Sequence, residues 1–230
     1  VSDRNYPVDT SAVPFTGTVS TGAVVDGFGL AFSNTVGGAN ALNVVNNGTI
    51  QINPGNTATQ GGNDALSITA IGATPVTYNG VGTITNLGSA GNGVQIDMTG
   101  TGDLTASFGG NVTSAVGNLL SNGSGIYAAG SGIAGNVSIT TLTGTTVRAD
   151  RAGVGVSLAN FASTGNISLV NNATIASLTG APGTLDIGLQ GSTNGLGSVA
   201  ITNNGAIGSL TDRITFFGIG AFITRPTSTA

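Results

Sequence analysis

A three-part motif returns along this chain at intervals of roughly thirty residues, a period typical of solenoid repeats. Residues 42–50 (LNVVNNGTI) recur as residues 167–175 (ISLVNNATI) and again as residues 199–207 (VAITNNGAI). Each copy alternates aliphatic with polar residues before an Asn-Asn pair, so a single copy cannot bury its own apolar side chains. The repeat therefore constrains the architecture strongly, whereas it says little about the chemistry of the protein.

The repeat resolves into three columns of apolar residues that keep the same order along the chain, with steps of 28 to 35 residues within a column. The first column is Leu42, Val76, Leu104, Val137, Ile167 and Val199. The second column is Ile50, Ile84, Val112, Val147, Ile175 and Ile207. The third column is Leu66, Val94, Ile126, Val154, Ile187 and Ile219. The register is least regular at Val76, because Pro75 precedes it and residues 78–80 carry one extra residue.

Each column predicts one short strand per coil. Successive side chains of a strand point to opposite faces, so Val137 and Ile139 face one way and Ser138 the other. Stacked coils would share an interior of Val, Ile and Leu, with each strand paired in parallel to its counterparts about 4.8 Å away. The sequence thus predicts an all-β fold, a right-handed parallel β-helix (β-solenoid) with three strands per rung and about six to seven rungs of roughly 30 residues.

The composition agrees with an ordered solenoid rather than a disordered chain. The sequence contains 40 Gly among 230 residues, yet 39% of it is hydrophobic, which is more apolar surface than a disordered chain carries. Gly and Asn tolerate the left-handed backbone conformations that solenoid corners require. We predict a single β-helix domain over residues 17–223, with an N-terminal arm or cap at 1–16 and a C-terminal tail or truncation point at 224–230.

Charge and cysteine usage exclude several classes of function. The chain has no Lys, Glu or His, and its five Arg and nine Asp give a net charge of −4. A nucleic-acid interface needs a clustered basic face and a membrane helix needs a long apolar run, so we predict neither nucleic-acid binding nor membrane insertion. The lack of Cys excludes disulfides and thiolate metal sites. Residues 61–66 (GGNDAL) resemble half of one calcium-binding repeat but stand alone, so we predict a turn there and no cofactor.

A family resemblance follows from these features. The Asn-Asn-Gly/Ala-x-Ile rungs, the Gly-Ile and Gly-Val third-column strands, the scarcity of charge and the lack of Cys resemble the passenger region of bacterial autotransporters. Filamentous-haemagglutinin-like adhesins are similar, and the resemblance covers residues 17–223. It implies a protein that is secreted or displayed on the bacterial cell surface, with a host surface, a neighbouring cell or a glycan as its partner. The Gly-Asp-Ser-Gly motif of the proteases in that family does not occur in this sequence.

Catalytic groups are sparse in the sequence. Nucleophilic catalysis by Ser usually needs an adjacent base, most often His, and the chain has no His. A glycosidase needs two carboxylates at a defined separation, but Asp64 lies two residues before Leu66 whereas Asp97 lies three residues after Val94. These offsets predict no carboxylate cluster, so we predict that the protein is not an enzyme. A polysaccharide lyase or hydrolase is the distant alternative, because pectin-degrading enzymes share this architecture.

The densest group of charges is the turn between the second and third strands of one rung. It holds Arg148, Asp150 and Arg151, which are candidate contacts for a partner. The alternative is a solvated corner with a local ion pair worth about 0–1 kcal/mol.

The Asn-Asn pairs have a structural interpretation and a functional one. Asn side chains at the same corner of stacked rungs can hydrogen-bond along the coil axis as a ladder, as amides do in cross-β structure. The alternative is a row that binds a ligand.

The last third-column strand is the most apolar stretch of the chain, residues 216–223 (FFGIGAFI). A solenoid end that exposes such a strand can pair with another chain. The candidate contacts for end-to-end assembly are Phe216, Phe217, Ile219 and Phe222. The alternative is that further rungs or a cap follow.

Two classes of non-enzymatic function are compatible with the sequence, beside the distant alternative of a polysaccharide-acting enzyme. The leading prediction is a non-enzymatic adhesin or stalk, similar to an autotransporter passenger. The alternative is a self-assembling structural subunit of an extracellular fibre or surface layer, a homo-oligomer formed by end-to-end stacking.

Overall fold

The computed structural model describes residues 5–54, 63–88, 91–115, 123–131, 135–158, 164–178, 185–209 and 214–224. Within these ranges the chain forms strands β1–β21, numbered along the sequence, and no helix. Sheet 1 consists of β2 (Phe15–Val19), β5 (Leu42–Asn46), β8 (Val76–Gly80), β11 (Leu104–Phe108), β14 (Val137–Thr141), β17 (Ile167–Asn171) and β20 (Val199–Asn203). Sheet 2 consists of β3 (Val24–Val25), β6 (Thr49–Ile52), β9 (Thr83–Asn86), β12 (Val112–Thr113), β15 (Thr146–Ala149) and β18 (Thr174–Ser177). Sheet 3 consists of β1 (Asn5–Val8), β4 (Leu30–Asn34), β7 (Leu66–Gly72), β10 (Val94–Gly100), β13 (Ile126–Ser131), β16 (Ala152–Leu158), β19 (Leu185–Thr193) and β21 (Ile214–Ile223).

The three sheets form a parallel β-solenoid, which confirms the predicted fold class. From β1 to β17, each strand pairs in parallel with the strand three elements later in the chain, and β19 pairs with β21, so each of the first six coils contributes one strand to each sheet. The first six coils each contain three strands. The seventh contains β19, β20 and a single parallel bridge between Ile175 and Ile207, and β21 follows it.

The strand register confirms the first two columns residue by residue. Val76 pairs with Leu42 on one side and with Leu104 on the other, so the irregular Pro75 and residues 78–80 do not shift the register. In the second column, Ile84 likewise pairs with Ile50 and with Val112. The inward positions of sheets 1 and 2 were therefore assigned correctly from the sequence.

The third column is correct as far as Val154 and wrong at Ile187. Val154 pairs with Leu189, which in turn pairs with Ile219, whereas Ile187 pairs with Ala152. The physical reason is a corner glycine, since Gly188 occupies the position that Gly153 holds one coil earlier. The residue of β19 that continues the third column is therefore Leu189, two positions after Ile187.

The core is a continuous apolar tube inside the coils. The strands alternate buried and partly exposed residues, as in β5, where Leu42 and Val44 are buried. Burying such side chains stabilises the fold by roughly 1.5–3 kcal/mol each. One aromatic pair lies inside the tube, with Tyr78 and Phe108 stacked at a ring-centroid distance of 4.4 Å. Tyr78 fits because Gly80 leaves space for its hydroxyl, which a Cβ at that position would overlap.

Asn ladders form at two coils, as the sequence predicted. The Asn171 amide donates from Nδ2 to Oδ1 of Asn203 at 2.8 Å, and Asn204 donates in the same way to Asn172 at 2.9 Å. The earlier Asn46 has Gly80 as its neighbour in the next coil, so no amide lies above it. Direct Asn–Asn bonds thus stabilise the last described coils.

The two ends of the solenoid are edge strands of sheet 3. β1 lies within residues 1–16 and pairs with β4, while β21 pairs with β19. Among the described residues, no helix is long and apolar enough to cross a membrane.

Candidate functional site

The outer face of sheet 3 carries two regular rows of side chains that run along the solenoid axis. The strand register defines outer row 1 as Ala31, Ser67, Gln95, Tyr127, Gly155, Gln190 and Gly220. Outer row 2 is Ser33, Thr69, Asp97, Ala129, Ser157, Ser192 and Phe222. Neighbours within a row are one coil apart, about 4.8 Å.

A cavity on this face is lined by two side chains of outer row 1, Tyr127 and Gln190. Gly155 lies between Tyr127 and Gln190, so these two side chains are separated by two coil spacings, about 9.6 Å. The cavity that these two side chains line has a volume of about 310 Å³, and we name it the sheet-3 slot. Its lining residues are Ser124, Tyr127, Arg151, Ala152, Val156, Ser157, Gln190 and Ser192.

The walls of the slot follow from the strand register. Tyr127 lies beside Gly155 closely enough that a Cβ on Gly155 would be 3.0 Å from Tyr127 Cδ2. Ser157 and Ser192 are adjacent in outer row 2 and supply two hydroxyls on one side. The slot therefore combines an aromatic ring, a primary amide and hydroxyl groups.

Arg151 lies at the opposite side of the slot, at the corner that leads into β16. Its backbone N–H and that of Asp150 both donate to the carbonyl oxygen of Gly123, each at 2.9 Å. These bonds hold the corner in place while the Arg151 side chain is exposed. Among the described lining residues Arg151 is the only charged one, so this end of the slot carries a positive charge.

The charged turn predicted as one cluster is divided between two faces. Arg148 lies on β15 in sheet 2, where it lines a second cavity of about 170 Å³ with Asn111, Thr113 and Thr146. Its Nη1 donates to the carbonyl oxygen of Ser177 at 3.3 Å. Arg148 and Arg151 therefore line different cavities, and Asp150 is half-buried at the corner between them.

Two aspartates on the N-terminal side of the slot belong to one hydrogen-bond network, which the sequence did not predict. The backbone N–H of Asn92 donates to Asp64 Oδ1 at 2.8 Å, and Asn92 Nδ2 donates to Gln95 Oε1 at 2.9 Å. Gln95 Nε2 then donates to Asp97 Oδ1 at 2.6 Å. The missed signal is the position of Asn92, which lies two residues before Val94 just as Asp64 lies two before Leu66.

Burial perturbs both carboxyls of this network. Desolvation raises the pKa of Asp64 to about 7, against the opposing effect of the hydrogen bonds from Asn92. Desolvation also raises the pKa of Asp97, and the hydrogen bond from Gln95 opposes it. Within the described part of the chain, no group of three or more Asp, Glu, His or Cys side chains is placed to hold a metal ion.

The predicted assembly residues lie in the terminal strand β21. Ile219 and Phe222 are 49% and 42% exposed, and Ile223 is 45% exposed. The side chains of Phe216 and Phe217 lie outside the described residues. The neighbour of Ile219 in the preceding coil, Leu189, is only 1% exposed.

Comparisons with known proteins identify no relative of this chain. The scan against protein-family models matches none of them, and the searches of curated proteins and of solved structures give no match either.

Proposed function

We propose that this protein is a non-enzymatic β-solenoid of the bacterial cell surface, an adhesin or stalk that binds a saccharide in the sheet-3 slot. The observation that carries the proposal is the slot itself, a cavity of about 310 Å³ lined by Tyr127 and Gln190 together with the hydroxyls of Ser157 and Ser192. Its volume is at the lower end of small-molecule sites, a size that suits one or two sugar rings.

The chemistry of the lining supports a sugar over an apolar ligand. An aromatic ring offers a flat apolar face to the C–H groups of a pyranose. Hydroxyl and amide groups both donate and accept hydrogen bonds, so Ser157, Ser192 and Gln190 can pair with sugar hydroxyls whatever their orientation. The rigid strands of sheet 3 hold these groups in place, which limits the entropy lost on binding.

The test is saccharide binding by the purified chain and by slot variants. We expect the wild type to retain members of a panel of immobilised oligosaccharides, and Tyr127→Ala to reduce the affinity at least about tenfold because one wall is lost. Gln190→Ala should weaken binding by a smaller factor, since one hydrogen-bonding group is removed.

The matched control is Gln51→Ala, which removes an amide from the outer face of β6 in sheet 2. This variant should bind like the wild type. The proposal is wrong if no oligosaccharide binds, or if Tyr127→Ala and Gln190→Ala bind as tightly as the wild type.

A second candidate function is a self-assembling fibre subunit, and the terminal strand favours it. Ile219 and Ile223 leave about half of their surface exposed at the open edge of sheet 3. A second copy could cover this edge by placing its β1 in parallel against β21, which would continue the register of the sheet. This proposal is independent of the slot, which lies on the flank of the solenoid.

A further inference from the structure

We infer that the sheet-3 slot selects acidic saccharides, in which a carboxylate or sulfate group on the sugar pairs with the guanidinium of Arg151. This inference rests on the proposed function, because it names the class of saccharide that the same slot would take.

The first argument is the charge of the slot. Arg151 is the only charged residue among the described lining residues, and it is exposed. Its side chain is exposed at the cavity, so the guanidinium N–H groups can reach a ligand that enters from solvent. A guanidinium presents its N–H groups as a planar fork that matches a carboxylate or sulfate with two parallel hydrogen bonds.

The second argument is the position of Arg151 relative to the other groups. The corner hydrogen bonds to the carbonyl oxygen of Gly123 fix its backbone, and Ser157 and Ser192 lie at the far side of the slot in outer row 2. A sugar that stacks on Tyr127 would thus have its hydroxyls near the serines and a substituent directed towards Arg151. A neutral sugar would leave that cation without an anionic partner.

The third argument is the placement of negative charge on the same face. Asp97 lies in outer row 2 two coils before Ser157, with Ala129 between them. A polyanion that ran along the face towards the N-terminal coils would bring its negative charges close to the Asp97 carboxyl. Charges of the same sign repel each other, so this arrangement is unfavourable. The slot therefore suits a short or terminal acidic unit better than the interior of a long polyanion.

The experiment compares ligands that differ only in charge, using the full chain. Titration calorimetry would measure binding of tetragalacturonate, its methyl ester and a sulfated neutral tetrasaccharide. We expect the wild type to bind tetragalacturonate about tenfold or more tightly than the methyl ester, the effect of one charge-assisted pair. The sulfated ligand distinguishes a general anion preference from one for carboxylates.

Variants assign the difference to Arg151. Arg151→Gln should lower the affinity for tetragalacturonate to that for the ester and leave ester binding unchanged, and Arg151→Lys should restore part of the loss. Arg148→Gln, the same change in the other cavity, should leave both affinities unchanged. Circular dichroism would verify that all three variants keep the β fold.

Each result decides a different claim. Equal binding of acid and ester by the wild type, or an unchanged preference in Arg151→Gln, overturns the acidic selectivity while the saccharide-binding function stands. If none of the three ligands binds, the acidic selectivity is wrong, and if no neutral oligosaccharide of the panel binds either, the saccharide-binding function is wrong as well. A preference for the sulfated or the carboxylated ligand over the ester, lost in Arg151→Gln, supports the inference.

Discussion

At the scale of single residues, Asp64 and Asp103 show how burial changes the role of one side chain. Each accepts a backbone N–H from an Asn of the following coil, Asp64 from Asn92 at 2.8 Å and Asp103 from Asn136 at 2.6 Å. Asp64 is 4% exposed, whereas Asp103 faces solvent. Burial raises the pKa of Asp64 to about 7.

The raised pKa of Asp64 predicts how the stability of the fold depends on pH. The unfolded chain releases the Asp64 proton near pH 4 and the folded chain near pH 7, so between these values the folded state binds more protons. Stability should therefore be greatest below about pH 4 and fall, by up to about 4 kcal/mol, as the pH rises to about 7. Urea unfolding of the wild type at a series of pH values would measure the slope.

Asp64→Asn should remove most of this slope and raise stability at pH 8, because the amide oxygen still accepts the Asn92 N–H and carries no charge. Asp103→Asn is the matched control, because it makes the same change in a solvent-exposed carboxylate that also accepts an Asn backbone N–H. A wild-type stability that is flat or rises between pH 4 and pH 7 would contradict the assignment of a buried, reluctantly ionised Asp64.

At the scale of the strands, the glycines before sheet 3 decide how closely successive coils stack. A Cβ on Gly153 would lie 2.6 Å from the carbonyl oxygen of Gly188, and it would also overlap Ile175. The same position in the last coil is Gly218, where a Cβ would meet nothing within 4 Å. The glycines at this position of the coil thus include one that packs against the next coil, Gly153, and one that does not, Gly218.

We predict that Gly153→Ala destabilises the solenoid by about 1–3 kcal/mol, because the backbone of the next coil must move away. Gly218→Ala should change stability by less than about 1 kcal/mol, since the added methyl group contacts nothing. Unfolding midpoints in urea would compare the two variants. Equal effects of the two substitutions would show that close stacking at this corner is not what requires glycine.

The same corner explains how far the sequence could predict the strands. The alternation of Leu42 and Val44 with polar residues was enough to predict which faces are buried, because the side-chain period of a strand is two. Ile187 was misplaced because two aliphatics flank Gly188, and the column continues at Leu189, the residue after the glycine, as it does at Val154 after Gly153. Periodicity therefore predicts faces, while corners depend on contacts between coils.

The candidate site was less predictable for a related reason. The slot depends on the register that places Tyr127 and Gln190 two coils apart with Gly155 between them, and such a register has no local motif in the sequence. Arg151 was predicted as a partner contact, but Tyr127 and Gln190 were not, since their common row depends on the register that Ile187 obscured. Arg148 lies three residues from Arg151 yet faces another sheet, which only the corner between β15 and β16 determines.

At the scale of the whole molecule, the open end predicts association between copies. In the third column Leu189 is 1% exposed, whereas Ile219 is 49% exposed. The reason is that no coil stacks on β21 in the described part of the chain. We expect sedimentation coefficients to increase with concentration, and electron micrographs at high concentration to show rods longer than one molecule.

Ile219→Lys should lower the association constant at least about tenfold, since the joined end would bury an unpaired charge. Val81→Lys is the matched control, because Val81 is 63% exposed on the flank between β8 and β9. A wild type that stays monomeric at every concentration, or equal effects of the two lysines, would refute end-to-end assembly.

The parallel stacking has a consequence for how this chain reaches its structure. Residues that pair between strands of adjacent coils are separated by similar distances along the chain, from 25 residues between Val25 and Ile50 to 36 residues between Leu30 and Leu66. Each new coil thus closes a loop of nearly constant length onto a template that already exists, and no step requires a much larger loss of chain entropy than the one before. Such a chain can fold coil by coil, so the folding time grows with the number of coils. Nucleation of the first two coils is the slow step.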